Sequence, residues 1–315
     1  MHTLRTGGIS LIIQSALSLE AVQARVDQIL ESDGGAREVL AYVASARGKG
    51  LRPSLVLLAF DLCGGTRFDE AINCAAGVEL VHMASLIHDD IIDRSEFRRR
   101  QLTAHRKFGT QAAVLAGDHL FAAAFHLFAM STNHDVSQVM TAVIQDMCSG
   151  EIGQLLSPAR TEADYLDYIH KKTACLIGGC CRLGAILSDA SKLNERYLKE
   201  FGESIGLAFQ LTDDVLDYRG VEQVMGKEGG RDFAEGLWTL PTIRAYERGL
   251  IPSNWFASDF ASVHAILEGQ GVLEEVLQEA SSHIRQAQMV LDRFPSSGSK
   301  AELAGILVSL TKRSW

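Results

Sequence analysis

Proline is scarce in this chain. The five prolines, Pro53, Pro158, Pro241, Pro252 and Pro295, leave 54–157 and 159–240 without a helix breaker. Strand signals are lacking too: there is no convincing alternating run, no G-x-G-x-x-G turn leading into a helix and no repeat of fixed period. Basic charge is in deficit, with 30 Lys and Arg against 39 Asp and Glu and a net charge of -9, which argues against a nucleic-acid partner. None of the six cysteines (Cys63, Cys74, Cys148, Cys175, Cys180 and Cys181) forms a CxxC pair, and most lie among apolar residues. Buried free thiols in a reducing compartment are the expectation. The apolar run Ile9 to Ile13, closed by Gln14, is too short to span a bilayer and makes a poor signal peptide. We therefore expect a cytoplasmic protein with no transmembrane segment.

Apolar residues are plentiful, at 47%, and recur at helical spacing, as at Leu19, Val22, Val26, Ile29 and Leu30. Charged residues, at 22%, match an ordinary globular chain. No linker-like segment divides the sequence. The pattern predicts an all-α fold of long helices with short Gly- or Pro-marked turns, forming one domain over 1–315.

Against that background stands Leu80-Val81-His82-Met83-Ala84-Ser85-Leu86-Ile87-His88-Asp89-Asp90-Ile91-Ile92-Asp93. On a helix Asp89 and Asp93 are i,i+4 neighbours, and His82, about two turns earlier, joins their face. The same DDxxD spacing returns in Phe209-Gln210-Leu211-Thr212-Asp213-Asp214-Val215-Leu216-Asp217. Like charges at this spacing destabilise a helix, and unpaired buried carboxylates cost far more. One such cluster is readily a solvated face. Two of them, each in apolar surroundings, ask for a shared cation, and hard oxygen ligands left partly open suit Mg²⁺.

Several basic segments accompany the two clusters. Lys49 stands between glycines in Arg47-Gly48-Lys49-Gly50-Leu51-Arg52-Pro53, where a helix N-terminus beside Lys and Arg makes an anion site. Arg98, Arg99 and Arg100 follow the first cluster, and guanidinium forks suit diphosphate oxygens. Lys172 and Thr173 lie on an apolar helix, where a buried lysine wants an anionic partner. Lys227 lies in the Gly-rich stretch Gly226 to Gly230. Taken singly, each is an ordinary solvated loop or helix end.

In this order and spacing, across roughly 45 to 245, the motifs resemble those of the trans-isoprenyl diphosphate synthases, the polyprenyl synthetase family. The resemblance implies a bundle of long helices around a deep central cavity, the two aspartate motifs facing each other across its mouth. It implies Mg²⁺, three ions with substrate bound, on Asp89, Asp93 and Asp213 directly and on Asp90, Asp214 and Asp217 through water. It places isopentenyl diphosphate on Lys49, Arg52 and His82. It places an allylic diphosphate near Arg98, Lys172 and Lys227, makes Arg99 a further substrate-binding residue beside Arg98, and has Thr173 and Gln210 stabilising a carbocation. A homodimer is implied, and a heteromeric partner is compatible. Ala84 and Ser85, both small, occupy the chain-length positions before the first motif, and the pattern is closest to synthases whose products exceed C20, although Phe121, Phe125 and Phe128 can still form a floor. Three departures stand out: Arg100 replaces a family glycine, Leu102 a proline and Leu237 a lysine. They leave open a specialised subunit of a heteromeric synthase, with shorter-chain farnesyl or geranylgeranyl synthases as the other alternative. A class I terpene cyclase usually lacks the second DDxxD and the Lys49–Arg52 site. A di-iron carboxylate bundle would need Glu-x-x-His pairs, and none is suitably placed.

Overall fold

In the computed structural model, residues 19–31, 35–45, 48–219 and 230–313 are described. The described chain is helical almost throughout. The helices are α1 (Leu19–Leu30), α2 (Arg37–Ser45), α3 (Leu51–Leu62), α4 (Phe68–Ile92), α5 (Ala104–Phe108), α6 (Thr110–Ala129), α7 (Asp135–Leu156), α8 (Glu162–Ile169), α9 (Cys175–Leu187), α10 (Lys192–Arg219), α11 (Arg231–Glu235), α12 (Leu240–Glu247), α13 (Phe260–Gly269), α14 (Val272–Leu291) and α15 (Gly298–Arg313). A five-residue π-helical segment, His170–Ala174, joins α8 to α9.

The sequence offers no strand, yet a short ribbon follows α4. β1 (Phe97–Arg98) pairs antiparallel with β2 (Gln101–Leu102). Its two-residue turn puts Arg99 at φ 51° and Arg100 at φ 67°. A primed hairpin turn needs positive φ at both positions, which glycine or asparagine normally supplies. Arginine gives no such signal, so the ribbon is invisible to pattern reading. The glycine-to-Arg100 departure thus falls at a strained position.

α4 is apolar on nearly every side and is accordingly central. It packs on α6, α3 and α1. Its contact with α6 is close because Gly117 has no side chain: a Cβ there would stand 2.2 Å from His88 Nε2. α4 and α6 are each long and apolar enough to cross a membrane by length and composition alone. Most of α4 is inside the bundle, whereas α6 leaves Val114 and Leu115 exposed.

The apolar interior forms two clusters. One gathers residues from α1 to α7, α9, α14 and α15, the other residues from α8 and from α12 to α14. α10 belongs to both, giving Leu198, Phe201 and Ile205 to the first and Leu211, Val215 and Tyr218 to the second. The second aspartate motif lies on the stretch of α10 that enters the second cluster. Five of the six cysteines are buried or half-buried and unpaired, as the composition predicts, whereas Cys148 is exposed.

Candidate active site

Both DDxxD motifs sit at the C-terminal ends of long helices, Asp89 to Asp93 on α4 and Asp213 to Asp217 on α10. That end of a helix carries partial negative charge, so the carboxylates are placed against the dipole. Burial pushes Asp89 up to about 6; Lys172 works against the shift, while Glu151 and Asp93 add to it. Burial pushes Asp214 up to about 7 despite hydrogen bonds from Tyr165 and Gln210, and Asp232, desolvated and facing Asp214 and Asp217, up to about 8. Such a concentration of desolvated carboxylates calls for positive charge.

Each aspartate has a distinct setting. Asp90 is buried and held by Arg98, whose Nε donates to both carboxylate oxygens at 2.9 Å and whose Nη2 lies 2.8 Å from Oδ1. Asp214 is buried and accepts from the Tyr165 hydroxyl and, at 3.1 Å, from Gln210 Nε2. Asp217 accepts the backbone N–H groups of Arg231 and Asp232 at 3.2 and 2.9 Å. Asp93, more exposed, lies 3.7 Å from Arg231 Nη2. Residue 231 therefore touches both motifs, with its side chain on one and its backbone on the other.

Lys172 and Thr173 come from the π-helical segment. A π turn breaks the regular helical phase, and Gly206 of α10 lets the segment come close: a Cβ at Gly206 would lie 2.5 Å from Ala174 Cα. Thr173 Oγ1 donates to Gln210 Oε1 at 3.1 Å. Lys172 Nζ lies 2.8 Å from Glu151 Oε1 and 5.4 Å from the Tyr168 ring centroid. Burial disfavours its charge, but Tyr168 and Glu151 outweigh that and raise its pKa. The anionic partner expected for a buried Lys172 is thus a protein carboxylate.

On the other side of α4 lies a pocket of about 550 Å³, its open mouth included. Tyr42, Gly48, Glu79, His82, Asp90 and Arg98 contribute to its wall. Arg52 Nη1 donates to His82 Nε2 at 3.1 Å. Burial, reinforced by Arg52, Arg98 and Arg99, holds His82 well below the usual histidine range, so the ring is neutral and can accept. Arg52 Nε is buried with no acceptor among the described residues, a donor waiting for an anion. Arg99 lies against Gly48, where a Cβ would come within 3.0 Å of its guanidinium. Lys49 is exposed beside them, and Gly50, at φ 68°, caps α3 in the left-handed conformation glycine favours.

Residues 35–289 match the family model for polyprenyl synthetase. The chain belongs to the polyprenyl synthetase family. It is 31% identical over 308 residues to heptaprenyl diphosphate synthase component 2 of Geobacillus stearothermophilus, covering 94% of this chain and 96% of that one. It is 34% identical over 288 residues to geranylgeranyl diphosphate synthase of Methanosarcina mazei, covering 87% and 88%. The solved structure of a polyprenyl synthase from Caulobacter crescentus, complexed with calcium and isoprenyl diphosphate, superposes with a TM-score of 0.83 at 31% identity over 94% of this chain and 95% of that one.

Within this polyprenyl synthetase chain, the expected residues divide by place. His82, Arg52, Arg98 and Arg99 gather on the pocket side. Asp89 approaches Lys172 and Glu151, and Thr173 meets Gln210, which in turn donates to Asp214. Ala84 is fully buried and Ser85 half-buried, and neither lines the pocket. Ala84 lies on the α4 stripe between Gly77 and His88, which meets α6 at Phe128 and Gly117. Lys227 lies outside the described residues, as does the run from Ile9 to Ile13.

Pattern reading missed Glu79, Glu151, Tyr165, Tyr168 and Arg231. Glu79 had a usable signal, one turn before His82 on the same face. Glu151 lies in Gly150-Glu151-Ile152-Gly153-Gln154, where nothing in the spacing points to Lys172. Tyr165 and Arg231 reach the site from separate elements and left no spacing to read.

The donor set fits Mg²⁺: hard oxygens only, from carboxylates whose surroundings disfavour their own charge. Among the described residues no three His, Cys, Asp or Glu side chains form a ready metal cluster.

Proposed function

We propose that the protein condenses isopentenyl diphosphate with an allylic diphosphate, in a Mg²⁺-dependent prenyl transfer that yields a trans-polyprenyl diphosphate longer than C20. The observation that carries this reading is that Arg231 touches both aspartate motifs, at Asp93 and Asp217, with Thr173 and Gln210 beside Asp214 and a second basic site at Arg52 and His82. Asp89, Asp93 and Asp213 would hold the metal directly and Asp90, Asp214 and Asp217 through water, three ions with substrate bound; buried Asp90 and Asp214 are held by Arg98 and by Tyr165 and Gln210. Bound Mg²⁺ would neutralise the diphosphate leaving group.

The chain's own groups then have separable tasks. Lys172, Arg98 and Lys227 bind the allylic diphosphate, and Arg52, Lys49, His82 and Arg99 bind that of isopentenyl diphosphate. As the allylic C–O bond ionises, the Thr173 hydroxyl and Gln210 carbonyl oxygens present dipoles to the carbocation. The isopentenyl double bond attacks it, a new C–C bond forms, and the released pyrophosphate takes the proton lost from the adduct. No side chain acts as a covalent nucleophile, so the protein contributes positioning and electrostatics.

The long-product reading is supported by small Ala84 and Ser85 and by relatives that include a heptaprenyl synthase component. The geranylgeranyl synthase relative keeps a C20 product as the alternative. We further read the chain as one cytoplasmic domain, supported by α10 running through both apolar clusters and by six unpaired cysteines. A homodimer is favoured by the exposed apolar residues of α6, Val114, Leu115 and Phe125. A heteromeric assembly is the second reading, favoured by the component relative.

The test is incubation of the purified chain with Mg²⁺, isopentenyl diphosphate and allylic primers, followed by chromatography of the dephosphorylated products. Products longer than C20 are expected, and Ala84→Phe should shorten them with catalysis largely retained. No turnover by the chain alone, restored by a second subunit, would favour the heteromeric reading.

A further inference from the structure

Arg231 has no role in the reaction described above, yet it occupies the junction of the two motifs. Its Nη2 lies 3.7 Å from Asp93 Oδ2 at the end of α4. The same nitrogen donates to Ser95 Oγ at 3.2 Å, and Nε donates to Glu235 Oε1 at 2.7 Å. Its backbone N–H donates to Asp217 Oδ1 at 3.2 Å. Ser95 and Glu235 fix the plane of the guanidinium from two edges, so its position over Asp93 is set by several contacts. The side chain is 52% exposed, which leaves it accessible from the mouth.

We propose that Arg231 is a resident counter-ion: it neutralises Asp93 while the site lacks metal, and turns to the substrate diphosphate once a divalent ion takes that carboxylate. The inference rests on the proposed metal-dependent diphosphate chemistry. An ion pair at this distance between partly exposed groups is weak, so a divalent ion displaces it readily. With Asp93 taken by metal, the guanidinium keeps Glu235 on Nε and can offer its Nη N–H groups to phosphate oxygens, which guanidinium binds well. The residue also stands six positions before Leu237, where the family resemblance leads one to expect a lysine, so the segment keeps a cation.

The two halves of the role have opposite signs. In the substrate-free protein, Arg231→Gln removes a competitor for Asp93. Mn²⁺ titrated into it and followed by electron paramagnetic resonance should bind about threefold to fivefold more tightly than to wild type, the scale of one exposed charge pair. With Mg²⁺ saturating, inorganic pyrophosphate should bind the variant at least about tenfold more weakly, the scale of a charge-assisted hydrogen bond. Arg231→Lys should restore part of the pyrophosphate affinity, and circular dichroism should show both variants folded. Weaker Mn²⁺ binding in Arg231→Gln would mean the residue merely scaffolds Asp93 and would overturn the proposal, as would two unchanged affinities. A wild-type protein that binds neither Mn²⁺ nor pyrophosphate would overturn the underlying functional reading and this proposal with it.

Discussion

The two DDxxD motifs share a spacing and a position at a helix end, but their middle aspartates are held by different chemistry. Asp90 faces a guanidinium, Arg98, and Asp214 faces a phenol and an amide, Tyr165 and Gln210. Burial raises both carboxyls: at Asp90 the Arg98 charge and hydrogen bond oppose the shift, and at Asp214, pushed up to about 7, only the neutral donors Tyr165 and Gln210 oppose it. The third aspartates differ as well: Asp93 leans on a side chain that can move, and Asp217 on backbone N–H groups that cannot move without α11. Identical spacing therefore gives one charge-balanced, adjustable motif and one rigid, hydrogen-bonded motif.

The largest expected effect concerns what the motifs share. Asp89→Ala or Asp213→Ala should lower turnover by at least about a hundredfold with the fold intact, because each removes a proposed metal ligand. Near-wild-type turnover by either variant at saturating Mg²⁺ would make the motifs unequal partners and break the metal reading.

The middle aspartates give the next largest effect and test the difference directly. Asp90→Asn leaves Arg98 with a neutral partner, and denaturant unfolding should show a loss of about 1–3 kcal/mol. Asp214→Asn should lose less than about 1 kcal/mol, since the Tyr165 hydroxyl can donate to or accept from an amide. Equal losses would mean the partner's charge does not matter.

A smaller effect is set by pH. Asp89, Asp214 and Asp232 are pushed up to about 6, 7 and 8 from an ordinary value of 3.8. In this window the folded protein binds more protons than the unfolded chain, so stability falls as pH rises. The contribution is full below the ordinary carboxylate value and is lost as pH passes through about 6 to 8. The melting temperature of metal-stripped protein should therefore decline between about pH 5 and about pH 9. Mg²⁺ with pyrophosphate should restore most at the alkaline end, and a rising profile without metal would contradict the assignment.

The smallest effect lies in the ribbon beside Arg98. Arg100→Gly relieves a left-handed residue at φ 67° and should stabilise the protein by about 1 kcal/mol, seen as a raised melting temperature. A lowered one would show that Arg100 makes contacts that outweigh its backbone strain.

Much of this was legible in advance because it repeats locally. Scarce proline and periodic apolar residues announce helices, and DDxxD, Lys49–Arg52 and Lys172–Thr173 are short segments whose residue types carry their chemistry. The contacts that differentiate the two motifs are not local. Arg98 reaches Asp90 because of a turn built on two arginines at positive φ, against their usual preference. Tyr165 reaches Asp214 across 49 residues, and Arg231 follows the Gly-rich stretch Gly226 to Gly230, whose sequence carries no periodicity to read. Glu151 was in view, but nothing in its neighbours pointed to Lys172.

The π-helical segment between α8 and α9 alters the rotational phase of that part of the chain. Tyr165 and Thr173 are eight positions apart in the sequence; on an unbroken α-helix they would point about 80° apart. The wider turn absorbs much of that angle. The two hydroxyls accordingly address neighbouring turns of α10, one at Asp214 and the other at Gln210. A deletion of a single residue from His170–Ala174 would thus act as a frame shift in three dimensions: composition would barely change and the helix would be more regular, yet the two hydroxyls could no longer address α10 together.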